Sequence, residues 1–254
     1  MEGHLPIVCT LLENYADANL CNNEGSSPLY TACQSDYLDI VSKLLDFKVE
    51  VNKCNNDGRS PLYAACQEGY AEIVEVLLET KADINLCSFD GDSPLLISCT
   101  AGHSNIVEML LKDGADVTKC LQNETQKLIK SGWLEFITER ANNKLKLYLL
   151  GISQCKFYDV IRGFSPLHMT CLMGHIKIIE LFLAQNPDVN ICKEDGTTPL
   201  YVACEVGHTE VVRLLLENKA DPHIYRNDGK SPFIVAESNE HFNIMSILKQ
   251  YITL

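Results

Sequence analysis

The sequence predicts an all-α solenoid, and three observations carry that expectation. A Ser/Thr-Pro phrase recurs at a fixed step within each of two groups, a Gly-His or Gly-Tyr pair follows four of the six phrases, and an apolar stripe of helical period comes next. The phrase reads Ser27-Pro28-Leu29-Tyr30, Ser60-Pro61-Leu62-Tyr63 and Ser93-Pro94-Leu95-Leu96. It returns as Ser165-Pro166-Leu167-His168, Thr198-Pro199-Leu200-Tyr201 and Ser231-Pro232-Phe233-Ile234. The step is 33 residues within each group of three and 72 between the groups, six more than two steps.

Each part of the unit has a physical reason. Gly25, Gly58, Gly91, Gly163, Gly196 and Gly229 lie two residues before the Ser or Thr and suit a tight turn with φ > 0. The hydroxyl is an N-cap, accepting from a backbone N–H that the first helical turn leaves unpaired. Proline follows where its missing N–H costs nothing. A short inner helix then ends at Gly69-Tyr70, Gly102-His103, Gly174-His175 or Gly207-His208, where the glycine suits a left-handed cap. An outer helix comes next. Ile73, Val74, Leu77 and Leu78 share one of its sides, as do Ile40-Val41/Leu44-Leu45, Ile106-Val107/Leu110-Leu111 and Val211-Val212/Leu214-Leu215. A polar connector such as Ala82-Asp83-Ile84-Asn85 leads into the next turn.

With phrase, turn and connector together, the unit resembles the ankyrin repeat, with Tyr often in place of the opening His. The resemblance implies two antiparallel helices and a β-hairpin-like loop per repeat, stacked as a single curved array over residues 1–254. The framing is a partial repeat at 1–21, regular repeats at 22–54, 55–87 and 88–120, a diverged repeat at 121–159, and regular repeats at 160–192, 193–225 and 226–254. Leu145, Leu149 and Leu150 match Ile106, Leu110 and Leu111 once six residues are added, whereas Leu128 matches Leu95 with none added. The insertion is therefore expected between the two helices of the diverged repeat. Its inner helix is expected to be lengthened over Gln126 to Arg140, by roughly 1.7 turns. Residues 1–21 supply an outer helix without an inner one, which suggests a piece of a longer protein.

Composition excludes several function classes. There are 34 acidic and 21 basic residues, for a net charge of -13. That field disfavours nucleic acid and anionic lipid and slightly favours basic partners, while its plainer reading is an acidic surface that keeps the array from self-associating. No apolar stretch reaches the ~20 residues of a membrane span, and the N-terminus lacks the pattern of a signal peptide. A cytoplasmic monomer, with a nuclear site as the alternative, is the expectation.

Ten of the twelve cysteines follow the repeat, and Cys9 and Cys155 fall outside it. Cys21, Cys54, Cys87, Cys120 and Cys192 share a connector position, and Cys33, Cys66, Cys99, Cys171 and Cys204 share an inner-helix position. No zinc spacing occurs. Stacked helices lie about 8–10 Å apart, too far for a disulfide that needs ~4.4–6.8 Å. His4, His103, His175, His208 and His241 share the turn position. These residues read as framework, so no catalytic residue, metal or cofactor is expected and the chain is not expected to be an enzyme.

What varies between repeats is left for recognition. The resemblance implies binding of other proteins through the loop tips and the concave inner-helix face. Carried onto this sequence, the candidates are Asp57, Arg59, Phe89, Asp90, Asp92, Phe164 and Glu194 at the tips. Gln67, Glu68, Leu172, Met173 and Glu205 are the candidates on the inner helices. Leu172 and Met173 read equally as packing beneath the diverged repeat, and Trp133 reads as core or surface. The connector asparagines Asn19, Asn52 and Asn85, each eight residues after a Leu, resemble sites that asparaginyl hydroxylases modify in such repeats. The function implied is an interaction scaffold or adaptor. The alternative is a targeting or regulatory module of a larger enzyme, ubiquitin ligase adaptor or receptor.

Overall fold

The computed structural model describes residues 4–121 and 132–252. Among them every regular element is an α-helix. The chain divides into two compact units, Met1–Lys119 and Cys120–Leu254.

The first unit holds α1 (Leu5–Glu13), α2 (Pro28–Gln34), α3 (Leu38–Asp46), α4 (Pro61–Glu68), α5 (Ala71–Glu79), α6 (Pro94–Ala101) and α7 (Ser104–Lys112). The inner helices α2, α4 and α6 stack in one layer, α1, α3, α5 and α7 in a second, and each inner helix packs on the outer helix that follows it. The Ser27, Ser60 and Ser93 hydroxyls each accept from the backbone N–H three residues on, at 3.1 Å. The stripes are buried as the period requires: Ile73, Val74 and Leu77 are fully enclosed, as are Ile106, Val107 and Leu110. Cys33, Cys66 and Cys99 fill the space between inner helices. Burial pushes their thiols up, that of Cys66 to about 12.

The first described helices of the second unit are α8 (Trp133–Arg140), α9 (Asn143–Leu150) and α10 (Gln154–Ile161). Three helix pairs follow: α11 (Pro166–Met173) with α12 (Ile176–Leu183), α13 (Pro199–Val206) with α14 (Thr209–Glu217), and α15 (Pro232–Ser238) with α16 (Phe242–Ile252). Helix α13 packs between α11 and α15.

Two kinds of polar hook join consecutive repeats. In the connectors, Oδ1 of Asn19, Asn52, Asn85 and Asn190 accepts from the backbone N–H of Glu50, Asp83, Asp116 and Asp221 at 2.8–2.9 Å. At the inner-helix ends, Nε2 of His103, His208 and His241 donates to the carbonyls of Gln67, Leu172 and Glu205 at 3.3, 2.9 and 3.2 Å. The glycines that end α4, α11 and α13 leave room for that ring. A Cβ on Gly69, whose φ is +92°, would meet the His103 ring at 2.6 Å.

The stretch 121–159 departs from its expected form. Described helix begins at Trp133, after Gly132 in the left-handed region, and three short helices replace the expected pair. The part of the expected long helix over 126–131, like Leu128, lies outside the described residues. Leu150 is 84% exposed, so Leu145, Leu149 and Leu150 do not form a buried outer-helix stripe. The backbone shows where the extra residues enter. In a regular hairpin the first tip residue donates to the carbonyl four residues on and accepts from the glycine three residues on. Ser88 does so with Asp92 and Gly91, and Lys193 with Thr197 and Gly196. Leu121 makes the same two bonds with Phe164 and Gly163. The closing residues are thus 39 positions further apart than usual, and the 72-residue step is one regular step of 33 with 39 residues inserted at a hairpin tip. The expected diverged repeat with six extra residues is corrected accordingly: a tip can accept a long insertion because only its two closing residues are fixed by the stack.

Two outcomes are expected. A Cβ at Gly58, where φ is +78°, would lie 2.7 Å from both the ring and the backbone nitrogen of Phe89, so Gly58→Ala should cost about 2 kcal/mol in urea unfolding. Burial lowers the pKa of His168 and of His208 to about 4, so both stay neutral in the fold while the unfolded chain protonates below about 6.5. A depressed base pKa stabilises the fold above the unfolded value and loses that contribution as pH falls toward the folded one. The urea midpoint should therefore drop between about pH 6.5 and 4, and His208→Gln should shrink the drop.

Candidate protein-interaction surface

The hairpin tips are rigid because each is laced to its neighbour. The Asn56 backbone N–H donates to Glu24 at 2.9 Å, and that of Phe89 to Asp57 at 2.9 Å. In the second unit, the Asn227 backbone N–H donates to Asp195 at 2.8 Å and its side-chain amide to Glu194 at 3.0 Å. Asx turns stiffen each loop, as where Asn55 Oδ1 accepts from Asp57 and Arg59 at 3.0 and 2.9 Å. Side chains held on such tips are presented at little entropic cost.

The structure keeps some candidates at the surface. Phe89 is 71% exposed. Asp57 is exposed beside it along the tips, and Asp90 is half-buried, its N–H donating to Ser88 Oγ at 3.1 Å. Arg59 is half-buried with its guanidinium 5.5 Å from the Tyr63 ring centre. Gln67 and Glu68 are half-buried at the end of α4, where the Gln67 amide donates to Glu68 Oε1 at 2.9 Å. Glu194 is exposed on the second unit's tips.

Other candidates are withdrawn from the surface. Asp92 is fully buried: Ser88 Oγ donates to its carboxylate, and burial raises its pKa against the lowering effect of that bond and of Arg59. It braces the hairpin and cannot be a contact. Phe164 is also fully buried, stacked on the His168 ring at 5.2 Å and 23°, with Lys193 5.5 Å from its ring centre. His168 is itself fixed, Nδ1 with Ser165 Oγ at 2.8 Å and Nε2 donating to the Thr197 carbonyl at 3.0 Å. Tip position alone did not distinguish Phe89 from Phe164. The difference is that Phe164 closes the hairpin with Leu121 and faces inward, whereas Phe89 occupies the tip. Trp133 is 2% exposed and belongs to the core.

Leu172 and Met173 are buried as well, at 0% and 1% exposure, which decides between their two readings in favour of packing. Asn142 Nδ2 donates to the Met173 carbonyl at 2.8 Å and Lys144 Nζ to the Gly207 carbonyl at 2.7 Å. Glu205 is half-buried. The Tyr148 hydroxyl lies against it, and burial together with that carboxylate pushes the Tyr148 ionisation up. Glu205 is in turn raised by burial and drawn back by Arg226 and Lys156. Sequence reading missed Asn142, Lys144 and Tyr148, because aligning their segment as a repeat assigned them framework positions.

Asn19, Asn52 and Asn85 have their side-chain carbonyls engaged by the next repeat. Asn190 does the same work, which a search requiring Leu eight residues earlier overlooks, since Phe182 stands there. Among the described residues no group of His, Cys, Asp and Glu side chains gathers as a metal ion would require, and no helix is long and apolar enough to cross a membrane.

Comparison with known families returns the same repeat over most of this framework, with one match beginning inside the inserted stretch. The description "Ankyrin repeats (3 copies)" matches residues 1–88 and 137–226, and "Ankyrin repeats (many copies)" matches residues 69–111. No curated protein matches the chain. With most of its length covered by these repeats, the chain belongs to the ankyrin-repeat family.

Proposed function

We propose that the chain is a non-enzymatic scaffold or adaptor that binds partner proteins through the hairpin tips and inner-helix ends of its first unit. Ankyrin repeats are in general protein–protein interaction modules. One observation carries the finer reading: Phe89, 71% exposed, stands on a tip whose backbone is pinned to its neighbour. Exposed aromatics on rigid supports are the usual anchors of interfaces. Asp57 and Asp90 flank it, and Gln67 and Glu68 extend the surface along the inner helices.

Charge supports a basic partner. Residues 1–119 carry 19 acidic and 7 basic side chains, a net -12, while residues 120–254 carry 15 and 14, a net -1. Nearly all of the chain's negative field therefore belongs to the first unit, where it would speed encounter with a positively charged surface. All twelve cysteines are free, which supports a reducing compartment such as the cytoplasm or nucleus.

Cross-linking in native lysate with quantitative mass spectrometry tests the reading. Phe89→Ala should cut recovery of the principal partner by at least ten-fold and leave the unfolding midpoint within about 0.5 kcal/mol of the parent. Phe164→Ala should do the reverse in kind, destabilising the fold by about 3–5 kcal/mol. Partner recovery insensitive to Phe89→Ala and to Asp57→Lys would refute the surface.

A further inference from the structure

The 39 inserted residues pose the question of what they do, and their described part answers it. The inner-helix ends of the second unit carry Met173 and Val206 at the position held elsewhere by Ser35, Glu68, Ala101 and Asn239. Among the described residues this position is buried only at Met173 and Val206, 1% and 3% exposed; the other four are half-buried or exposed. Residues of the insertion stand at both: Asn142 reaches the Met173 carbonyl, and Lys144 and Tyr148 line a cleft with Val206. Helix α9 lies against α13, and its polar groups take the backbone acceptors that the inner-helix ends offer. Asn142 Nδ2 donates to the Met173 carbonyl and Lys144 Nζ to the Gly207 carbonyl. These carbonyls neighbour the ones that the turn histidines take, at Leu172 and Glu205. Between the insertion and the unit remains a cleft of about 680 Å³, lined by Lys144, Tyr148, Lys156, Glu205, Val206 and Phe242 among others.

A ligand on an inner-helix face would make these same contacts: apolar cover over the variable side chains and donors to the carbonyls at the helix ends. We propose that the insertion is a built-in occupant of the second unit's inner-helix face, closing to partners the surface that the first unit leaves open. The sequence fits that division. Three of the four variable positions under the insertion are apolar (Leu172, Met173, Val206), the fourth being Glu205, whereas the first two inner helices carry Gln34, Ser35, Gln67 and Glu68. Met173 and Val206 belong to a covered face, and the four polar residues to one that meets water or a transient partner. The proposal rests on inner-helix faces being the recognition surface, but its test reads burial of one side chain and is independent of any partner.

Two methionines on α11 provide the measurement. Met169 is buried at a position also buried at Ala64, Ile97, Val202 and Val235, so the repeat stack itself protects it. Met173 is buried at a position the stack does not protect. Oxidation of the full chain by hydrogen peroxide, followed by mass spectrometry, should find both slow. In Asn142→Ala/Lys144→Ala, which also removes the Asn142 cap of α9, Met173 oxidation should rise at least five-fold while Met169 stays slow. The same should hold in a chain whose residues 122–162 are replaced by Asn-Asp, restoring the regular tip between Leu121 and Gly163. Met173 remaining as protected as Met169 in both variants would overturn the proposal. So would a parallel rise of the two methionines in both, because the insertion would then be part of what folds the unit rather than a cover laid on it.

Discussion

A 33-residue helix pair cannot bury its own apolar surface, and everything else in this molecule follows from that deficit. Each inner helix has two sides to cover and one outer helix to cover them with, so it must lie against the inner helix of the next repeat. The small, buried cysteines set how closely those helices approach. The asparagine and histidine hooks fix the register by satisfying backbone groups that a connector or a helix end would otherwise leave open. The buried neutral His208 makes this register sensitive to acid, since its ring donates to the Leu172 carbonyl and the nearby Lys144 disfavours a second positive charge.

A stack specified this way has little freedom in its framework and much at its tips. The closing residues of a hairpin are fixed by their hydrogen bonds, but the number of residues between them is not. Ordinarily two residues separate the first tip residue from the turn glycine. Between Leu121 and Gly163 there are 39 more, and the closing bonds are unchanged. The loop-closure entropy of a longer loop grows slowly with length, so an insertion of this size is tolerated where a single misplaced residue inside a helix would not be. The same rigidity makes Phe89 credible as an anchor, because the backbone that presents it is hydrogen-bonded to the preceding tip.

The two units differ in charge and in their inner-helix ends. The first carries nearly all the negative charge and polar ends on its first two inner helices; the second is close to neutral, with Leu172, Met173 and Val206 buried at the ends of α11 and α13, Glu205 half-buried and Asn239 exposed. Asp92 and Phe164 show the limit of reading surface from repeat position. Both sit in a tip by count. One braces its hairpin through Ser88 and the other closes a hairpin with Leu121, so neither meets solvent.

The sequence by itself determined the repeat, its caps, its buried stripes and the framework role of its cysteines and histidines, because these depend on local spacing and on a period that every unit shares. It located the irregular stretch but misjudged its nature, since matching leucines at helical spacing describes any amphipathic segment. Only the tertiary structure decided that the extra residues open one hairpin, that Phe164 faces inward while Phe89 faces out, and that Met173 and Val206 lie beneath the insertion. The physical reason is one of range. Caps and stripes are made by residues within a few positions of each other, whereas Leu121 bonds to residues more than 40 positions away, and no period in the sequence records that distance.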